Sequence, residues 1–246
     1  MRDFNEVSER EELRPARSNN RMVDRLFITF GSTTLLFFLI FFAGSRFLPP
    51  VPPSFSPELT TDRYVKNQDG MKAGIYLVVI SSILWPLYSV GIGNQMLKIE
   101  GINPNILSLQ ISSGSAAGFS LALISVFFAT TMYRLDRDPT QTQLLSDLSW
   151  LCFTLVATPF ATQEFAISYS ILSDRRPDPL IPHWVAWVNS LLTLTWFPAY
   201  AAHCVHSGAI AWDGAVGFWL PLASLGIQVS LVSLYCWIVA GTKCVH

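Results

Sequence analysis

Long stretches without charged residues divide the chain. Asp, Glu, Lys and Arg are absent from 26–45, 73–97, 101–133, 179–212 and 214–242, and 148–173 holds a single charge, Glu164. Each stretch reaches the roughly 20 residues with which an apolar helix crosses a bilayer. The pattern predicts an all-α, polytopic integral membrane bundle. Its six transmembrane helices are expected at about 26–45, 73–97, 105–133, 148–173, 183–206 and 214–240.

The segments outside these spans are short. Residues 1–25 are polar and are expected to form a disordered cytosolic tail before the helical domain, 26–240. The region 46–72 contains five prolines, which predicts a stiff, extended outer loop able to cover the mouth of a cavity. With the N-terminus inside, the predicted cytosolic segments carry ten Lys and Arg and the outer segments six. This bias favours a cytosolic location for both termini.

Composition narrows the functional classes. Hydrophobic residues make up 51% of the chain and charged residues only 13%, whereas a soluble domain carries about 25% charged residues. The formal net charge of -1 offers no basic face for phosphates, so nucleic acid is not an expected partner. Any chemistry is expected within the membrane or at its surface, with membrane lipid as one partner.

Glu164 is the most informative residue of the pattern. It lies about sixteen residues into the fourth predicted span, which places it well inside the hydrocarbon at 1.5 Å per residue. A carboxyl group there is costly, and such groups usually face an internal cavity. Two interpretations stay open. Glu164 is either a protonated side chain that bonds a neighbouring helix, or a working acid, ion site or proton relay.

Prolines and aromatic residues surround this acid in the sequence. Pro86, Pro159, Pro198 and Pro221 each fall within a predicted span, where a proline kinks the helix and frees a backbone carbonyl. Kinked helices diverge, so an internal pocket lined by aromatic side chains is one expectation. Helix packing without a pocket is the other.

Several membrane protein classes lack their required residues here. A retinal protein needs a lysine in the middle of a span, and this chain has none. Haem carriers need histidines on facing helices, but His183 and His203 share one predicted span. Asp174 and Asp178 have the spacing of a magnesium-diphosphate motif, yet a second acidic cluster is missing. A turn at the end of a helix is the simpler interpretation, and neither a metal nor a cofactor is predicted.

The remaining features fit acid-initiated chemistry on a lipophilic substrate. A carboxylic acid in an apolar site keeps a proton available at neutral pH, and aromatic faces stabilise a developing carbocation. We therefore predict a metal-independent terpene cyclase with Glu164 as the catalytic acid. Asp147 and Asp213 are rival acids, for which capping of a helix N-terminus is the alternative. The predicted substrate-binding residues are Gln163, Asn189, Trp85, Tyr88, Phe160, Trp196 and Trp219.

Four strings carry a resemblance to known families: FLPP (47–50), LLSDLSWLCF (144–153), ILSDRRPDPLIPHW (171–184) and AIAWDGAVGFWLP (209–221). They resemble a family of small multi-span membrane proteins of actinobacteria and fungi, over roughly residues 26–240. The chain is also similar to the membrane-bound terpene cyclases of fungal meroterpenoid biosynthesis, of the ascochlorin and ascofuranone type. That similarity implies a prenylated lipophilic substrate, an isomerase of secondary metabolism and, in a fungus, the endoplasmic reticulum membrane.

Two other functional classes remain open at this point. In a small proton-coupled transporter, Glu164 would be the proton or ion site. In a membrane scaffold or accessory protein, the packing faces of the helices would hold other membrane proteins. The glycines of the third predicted span, Gly114 and Gly118, form a G-x-x-x-G face along which helices approach closely.

Overall fold

The described part of the computed structural model, residues 21–241, is helical and contains no strand. The prediction of a disordered tail at residues 1–25 lies mostly outside this range. Residues 21–25 differ from it, because they form the start of the first helix, which begins at Arg21. Its eight α-helices are α1 (Arg21–Leu39), α2 (Pro57–Lys66), α3 (Gln68–Met96), α4 (Pro104–Tyr133), α5 (Pro139–Leu155), α6 (Thr158–Leu172), α7 (His183–Leu194) and α8 (Leu220–Gly241).

Three short non-α helices complete the architecture. A π-helical turn, Ile40–Gly44, extends α1, and another, Ala215–Trp219, leads into α8. A 3₁₀-helix, Phe197–Cys204, follows α7. We call the end of the bundle where α1 finishes and α3 begins the loop end, and the opposite end, where α1 begins and α8 finishes, the tail end.

Five segments are long and apolar enough to cross a bilayer, which agrees with a multi-pass integral membrane protein. They are Arg21–Gly44, Gln68–Met96, Pro104–Tyr133, Pro139–Leu172 and Ala215–Gly241. Each contains one of the spans predicted from the charge pattern, apart from a few residues at the ends. The all-α membrane bundle is thus supported by the apolar helices themselves.

The predicted span 183–206 is not one continuous helix. Helix α7 ends at Leu194, and the chain resumes as the 3₁₀-helix with Pro198 in its first turn. Proline has no amide hydrogen to continue an α-helical ladder, which explains the change of geometry. Helix α7 packs against α6 and α8, whereas the 3₁₀-helix packs against α5 and the π-helix before α8. Helix α7 and the 3₁₀-helix therefore pack along the same two neighbouring segments, Pro139–Leu172 and Ala215–Gly241, but each contacts a different half of them.

The fourth crossing segment is also interrupted. A turn at Val156 and Ala157 separates α5 from α6, and Pro159 lies in the first turn of α6. Helix α5 begins at Pro139, nine residues before the predicted start of this span, because Asp138 caps it by accepting a hydrogen bond from the Thr140 amide at 2.8 Å.

The proline-rich segment 46–72 is only partly extended. Residues 46–56 contain no helix, as expected, but α2 follows directly, with Pro57 at its first position and the Ser56 hydroxyl as its N-cap. The prediction of an extended loop is therefore wrong for the second half, because a proline at the first position of a helix loses no hydrogen bond.

This segment packs over the loop end of the bundle. Tyr64 of α2 is fully buried, and its hydroxyl pairs with Ser146 Oγ at 2.9 Å and accepts a bond from Trp150 Nε1 at 3.2 Å. Trp212 Nε1 donates to the carbonyl of Val51 at 2.9 Å. Burial raises the pKa of the Tyr64 hydroxyl to about 12, so the group stays neutral while it makes these bonds.

Helices α3 and α4 approach each other closely, as the G-x-x-x-G face predicts. A Cβ atom at Gly118 would lie 2.6 Å from Pro86 Cγ, and one at Gly114 would lie 2.0 Å from Ser89 Oγ. Only a residue without a side chain fits at either position.

Candidate functional site

Glu164 lies in the second turn of α6, where it is 2% exposed. Asn189 of α7 donates from Nδ2 to Glu164 Oε2 at 2.9 Å, and the same nitrogen lies 3.0 Å from the Glu164 carbonyl and 3.0 Å from Ser168 Oγ. The break before α6 is what brings this turn against α7. The acid therefore contacts a neighbouring helix through a single amide group.

A second amide group supports Asn189. Gln228 of α8 donates from Nε2 to the carbonyl of Asn189 at 2.9 Å and to Thr193 Oγ1 at 2.8 Å. The side chains of Asn189, Thr193 and Gln228 are nearly inaccessible to solvent. Glu164, Asn189, Thr193 and Gln228 thus form a buried polar layer, defined here by these four residues, that joins α6, α7 and α8.

Gln163 makes its contacts with a different helix. Its Oε1 accepts a hydrogen bond from Trp85 Nε1 of α3 at 3.0 Å. Its Nε2 has no hydrogen-bond partner among the described residues and lies close to the position that a Cβ atom at Gly114 would occupy. The adjacent residues Gln163 and Glu164 therefore connect α6 to different neighbours: Glu164 contacts α7, and Gln163 contacts α3 and lies close to α4.

An aromatic cavity of about 80 Å³ lies on the loop-end side of the polar layer and is half-open. Three of the predicted substrate-binding residues line it, namely Trp85, Phe160 and Trp196. Trp85 and Phe160 pack with ring centroids 4.9 Å apart. The wall is almost entirely apolar.

Irregular backbone contributes much of this wall. Residues from the α5–α6 break, from the 3₁₀-helix and from the π-helix before α8 all line the cavity. Non-helical backbone at membrane depth is tolerated where it is buried or lines a cavity. The interrupted helical segments therefore form part of the cavity wall.

The other predicted binding residues lie outside the cavity wall. Tyr88 is buried on the far side of Trp85, and its hydroxyl accepts a bond from Ser233 Oγ at 3.1 Å. Trp219 is 43% exposed on the surface of the bundle. Asn189 contacts the acid itself, in contrast to the predicted contact with a substrate. Glu164 is not part of the wall either, but lies one helical turn from Phe160, which is.

The rival acids are separate from both the cavity and the polar layer. Asp147 lies partly exposed in the middle of α5, so the alternative that it caps a helix is wrong, since the helix begins at Pro139. Asp213 is partly exposed in the turn before the π-helix, whose N-cap is Gly214. Burial raises the pKa of the Asp213 carboxyl above its ordinary value, and a hydrogen bond from the backbone amide of the same residue offsets only part of this increase.

Asp174 is engaged inside its own turn. Its carboxylate accepts hydrogen bonds from Arg176 Nε at 2.7 Å and from the Leu180 amide at 3.0 Å. Burial raises the pKa of this carboxyl, but the bonds from Arg176 and Leu180 outweigh it and leave the pKa below its ordinary value. Within residues 21–241, no group of three or more His, Cys, Asp and Glu side chains is arranged to hold a metal ion. The helix-ending turn is the interpretation that these contacts support.

Comparison with known proteins found no matching family model, no matching curated protein and no matching solved structure. The site is therefore interpreted from its own geometry. The residues that were not predicted as site residues include Thr193 and Gln228 of the polar layer and Tyr200 of the cavity wall. The signal for Gln228 was an amide in the middle of an apolar span, and the signal for Tyr200 was its position two residues after Pro198.

Proposed function

We propose that the protein binds a lipophilic, prenylated small molecule in the aromatic cavity and that Glu164 protonates it to start a cyclisation. The observation that carries this proposal is the spacing on α6, where Phe160 of the cavity wall and Glu164 of the polar layer lie one helical turn apart. Side chains on a helix lean toward its N-terminus. The acid therefore leans toward the cavity.

The reaction needs no cofactor. The proton of the Glu164 carboxyl adds to an epoxide oxygen or to an alkene carbon of the prenyl chain, which breaks the C–O or C=C π bond and leaves a carbocation. The π electrons of a second alkene then form the ring bond. Loss of a proton from carbon, back to the carboxylate, restores an alkene, so the product is an isomer of the substrate. Trp85 and Trp196 present aromatic faces that stabilise the cation.

Access to the acid requires a local movement. The cavity of about 80 Å³ is smaller than the roughly 300–1,000 Å³ of common ligand pockets, and the Phe160 ring lies between it and Glu164 along α6. A bound chain must extend through the open side of the cavity into the bilayer, and Phe160 must move aside before protonation. This places the prenyl end of the substrate inside the protein and the rest in lipid.

Turnover of a prenyl-epoxide substrate by microsomes containing the protein tests this role. Glu164→Gln keeps the shape and the contact with Asn189 but supplies no acidic proton, so it should abolish cyclised product. Asp147→Asn and Asp213→Asn are matched controls that should retain turnover. Full activity of Glu164→Gln would refute the assignment, and loss of activity only in Asp213→Asn would transfer the role to that residue.

A proton-coupled transporter is the second candidate, because two consecutive helical segments, Pro139–Leu172 and 183–204, are both interrupted. The break at Val156 and Ala157 and the break after Leu194 fall near the middle of their segments. Broken helices around a midplane site are typical of secondary transporters. Proteoliposomes containing a pH-sensitive dye discriminate the two functions. A cyclase gives no substrate-driven proton flux, whereas a transporter gives one that Glu164→Gln removes.

We also propose six crossings with both termini on the cytosolic side. Helix α7 supplies about 18 Å and the 3₁₀-helix about 16 Å, at 1.5 and 2.0 Å per residue, against a hydrocarbon core of about 30 Å. Cys204 is exposed at the loop end, whereas Cys152 and Cys236 are buried. An impermeant maleimide added outside sealed cells should label the protein, and Cys204→Ser should remove that label. Labelling from the cytosolic side alone would refute this topology.

A further inference from the structure

The polar groups of the cavity wall are satisfied inside the protein with one exception. Trp85 Nε1 donates to Gln163, Trp196 Nε1 donates to Ser224 Oγ at 2.9 Å, and Thr154 Oγ1 donates to the Trp150 carbonyl at 3.0 Å. These groups have no need of a ligand.

Tyr200 is the exception. This residue lines the cavity, and its hydroxyl is buried without a hydrogen-bond partner among the described residues. An unpaired buried hydroxyl is costly, because it has lost its bonds to water and gained none. The hydroxyl hydrogen rotates about the Cζ–O bond, so the group can direct its donor toward an acceptor of a ligand.

We propose that the Tyr200 hydroxyl donates a hydrogen bond to a single acceptor oxygen on an otherwise apolar ligand. A ligand with several polar groups would leave most of them unpaired against the apolar wall, which disfavours its binding. A pure hydrocarbon would leave Tyr200 unpaired. The chemistry of the cavity therefore selects a molecule with an apolar body and one ketone, ether or epoxide oxygen. This inference rests on the proposed ligand-binding role of the cavity, but it is independent of the role of Glu164.

A matched pair of probes tests the selection. Cyclohexanone and cyclohexane share a six-membered ring and differ by one acceptor oxygen, and both can enter the cavity through its open side. Their binding to the full-length protein in nanodiscs is measured by ligand-detected NMR against empty nanodiscs. Relative to each ligand dissolved in the lipid, where the ketone has no hydrogen-bond donor, the wild type should bind the ketone about two- to tenfold more tightly than the hydrocarbon, the range expected for one net hydrogen bond.

Tyr200→Phe should abolish that preference and leave cyclohexane binding unchanged. Tyr76→Phe is the control, because Tyr76 is 66% exposed on the surface of the bundle and should not alter the preference. The infrared carbonyl band of cyclohexanone bound to the wild type should lie at lower frequency than in the lipid, which requires no variant to fold.

Three results would overturn the inference. An unshifted carbonyl band shows that the ketone accepts no bond from the protein. Equal preference in the wild type and Tyr200→Phe refutes the role of Tyr200 while leaving the cavity as a ligand site. Failure of both probes to bind the wild type refutes the inference together with the proposed ligand-binding function.

Discussion

Gly114→Ala should separate α3 from α4. The new Cβ atom would lie 2.0 Å from Ser89 Oγ and 2.4 Å from Ser89 Cβ. The hydroxyl can rotate away, but the Cβ atom is fixed by the backbone. Because carbon atoms in contact lie about 3.5–4.0 Å apart, the two helices must move apart locally by about 1 Å or more.

This separation also affects the hydrogen bonds between the helices. Gln110 Nε2 donates to Ser89 O and to Ser89 Oγ, each at 3.1 Å. Overpacking costs about 1–3 kcal/mol and interhelical bonds in membranes contribute about 0.6 kcal/mol each, while the helix propensity of alanine returns about 1 kcal/mol. The expected loss of unfolding free energy is therefore about 1–3 kcal/mol.

Gly226→Ala provides the matched control. Gly226 lies in α8, where a new Cβ atom would meet only Leu35 Cδ1 at the ordinary contact distance of 3.8 Å. Both variants are unfolded by increasing the fraction of dodecyl sulfate in mixed micelles, with far-UV circular dichroism as the signal. Gly226→Ala should unfold at or slightly above the wild-type midpoint and Gly114→Ala clearly below it. Equal midpoints for the two variants would refute the close approach of α3 and α4.

Three further changes have defined outcomes. Asp174→Asn should lower the melting temperature at neutral pH. Because the folded pKa of this carboxyl is depressed, wild-type stability should fall as the pH drops below the ordinary value of 3.8, and the difference between the two proteins should shrink there. Tyr64→Phe leaves Ser146 without its partner across the loop end, so it should cost about 1–3 kcal/mol and speed hydrogen exchange in 46–66; unchanged exchange would contradict the docking of this segment. Asn189→Leu removes the bond to Glu164 and should destabilise the protein less when combined with Glu164→Leu, which removes the acceptor, a coupling of about 0.5–3 kcal/mol in a double-mutant cycle; strictly additive effects would argue against the contact.

The charge pattern was sufficient to predict five of the crossing segments, because each is a long apolar helix whose ends are marked by polar residues. It was not sufficient for 183–206, where hydropathy is continuous but the backbone changes from α to 3₁₀ geometry. Hydropathy reports the environment of a segment and carries no information on its hydrogen-bond ladder. Pro198 indicated a disturbance there, but a kink and a complete break have the same sequence signal.

The sequence could place aromatic residues in one interior, but it could not specify how the polar residues are arranged. Trp85, Phe160 and Trp196 do share one cavity, because each lies near the middle of its segment and faces the same interior. Glu164 and Asn189 pair with each other, a relation that depends on how far α6 and α7 rotate after their breaks. A rotation of this kind is set by packing between distant parts of the chain, so no local pattern specifies it.

The breaks explain why the cavity and the acid lie next to each other without merging. Where α5 ends, the chain leaves the helical ladder around the aromatic cavity, and this frees the space that a continuous helix and its side chains would fill. Where α6 resumes, its side chains enter a regular bundle and the polar layer closes through Asn189 and Gln228. Apolar volume and buried polar groups are thus separated by one helical turn, with Phe160 at the boundary. Movement of this one ring would connect the cavity with the polar layer, so in the proposed function Phe160 is the position that would control access of a ligand to the acid.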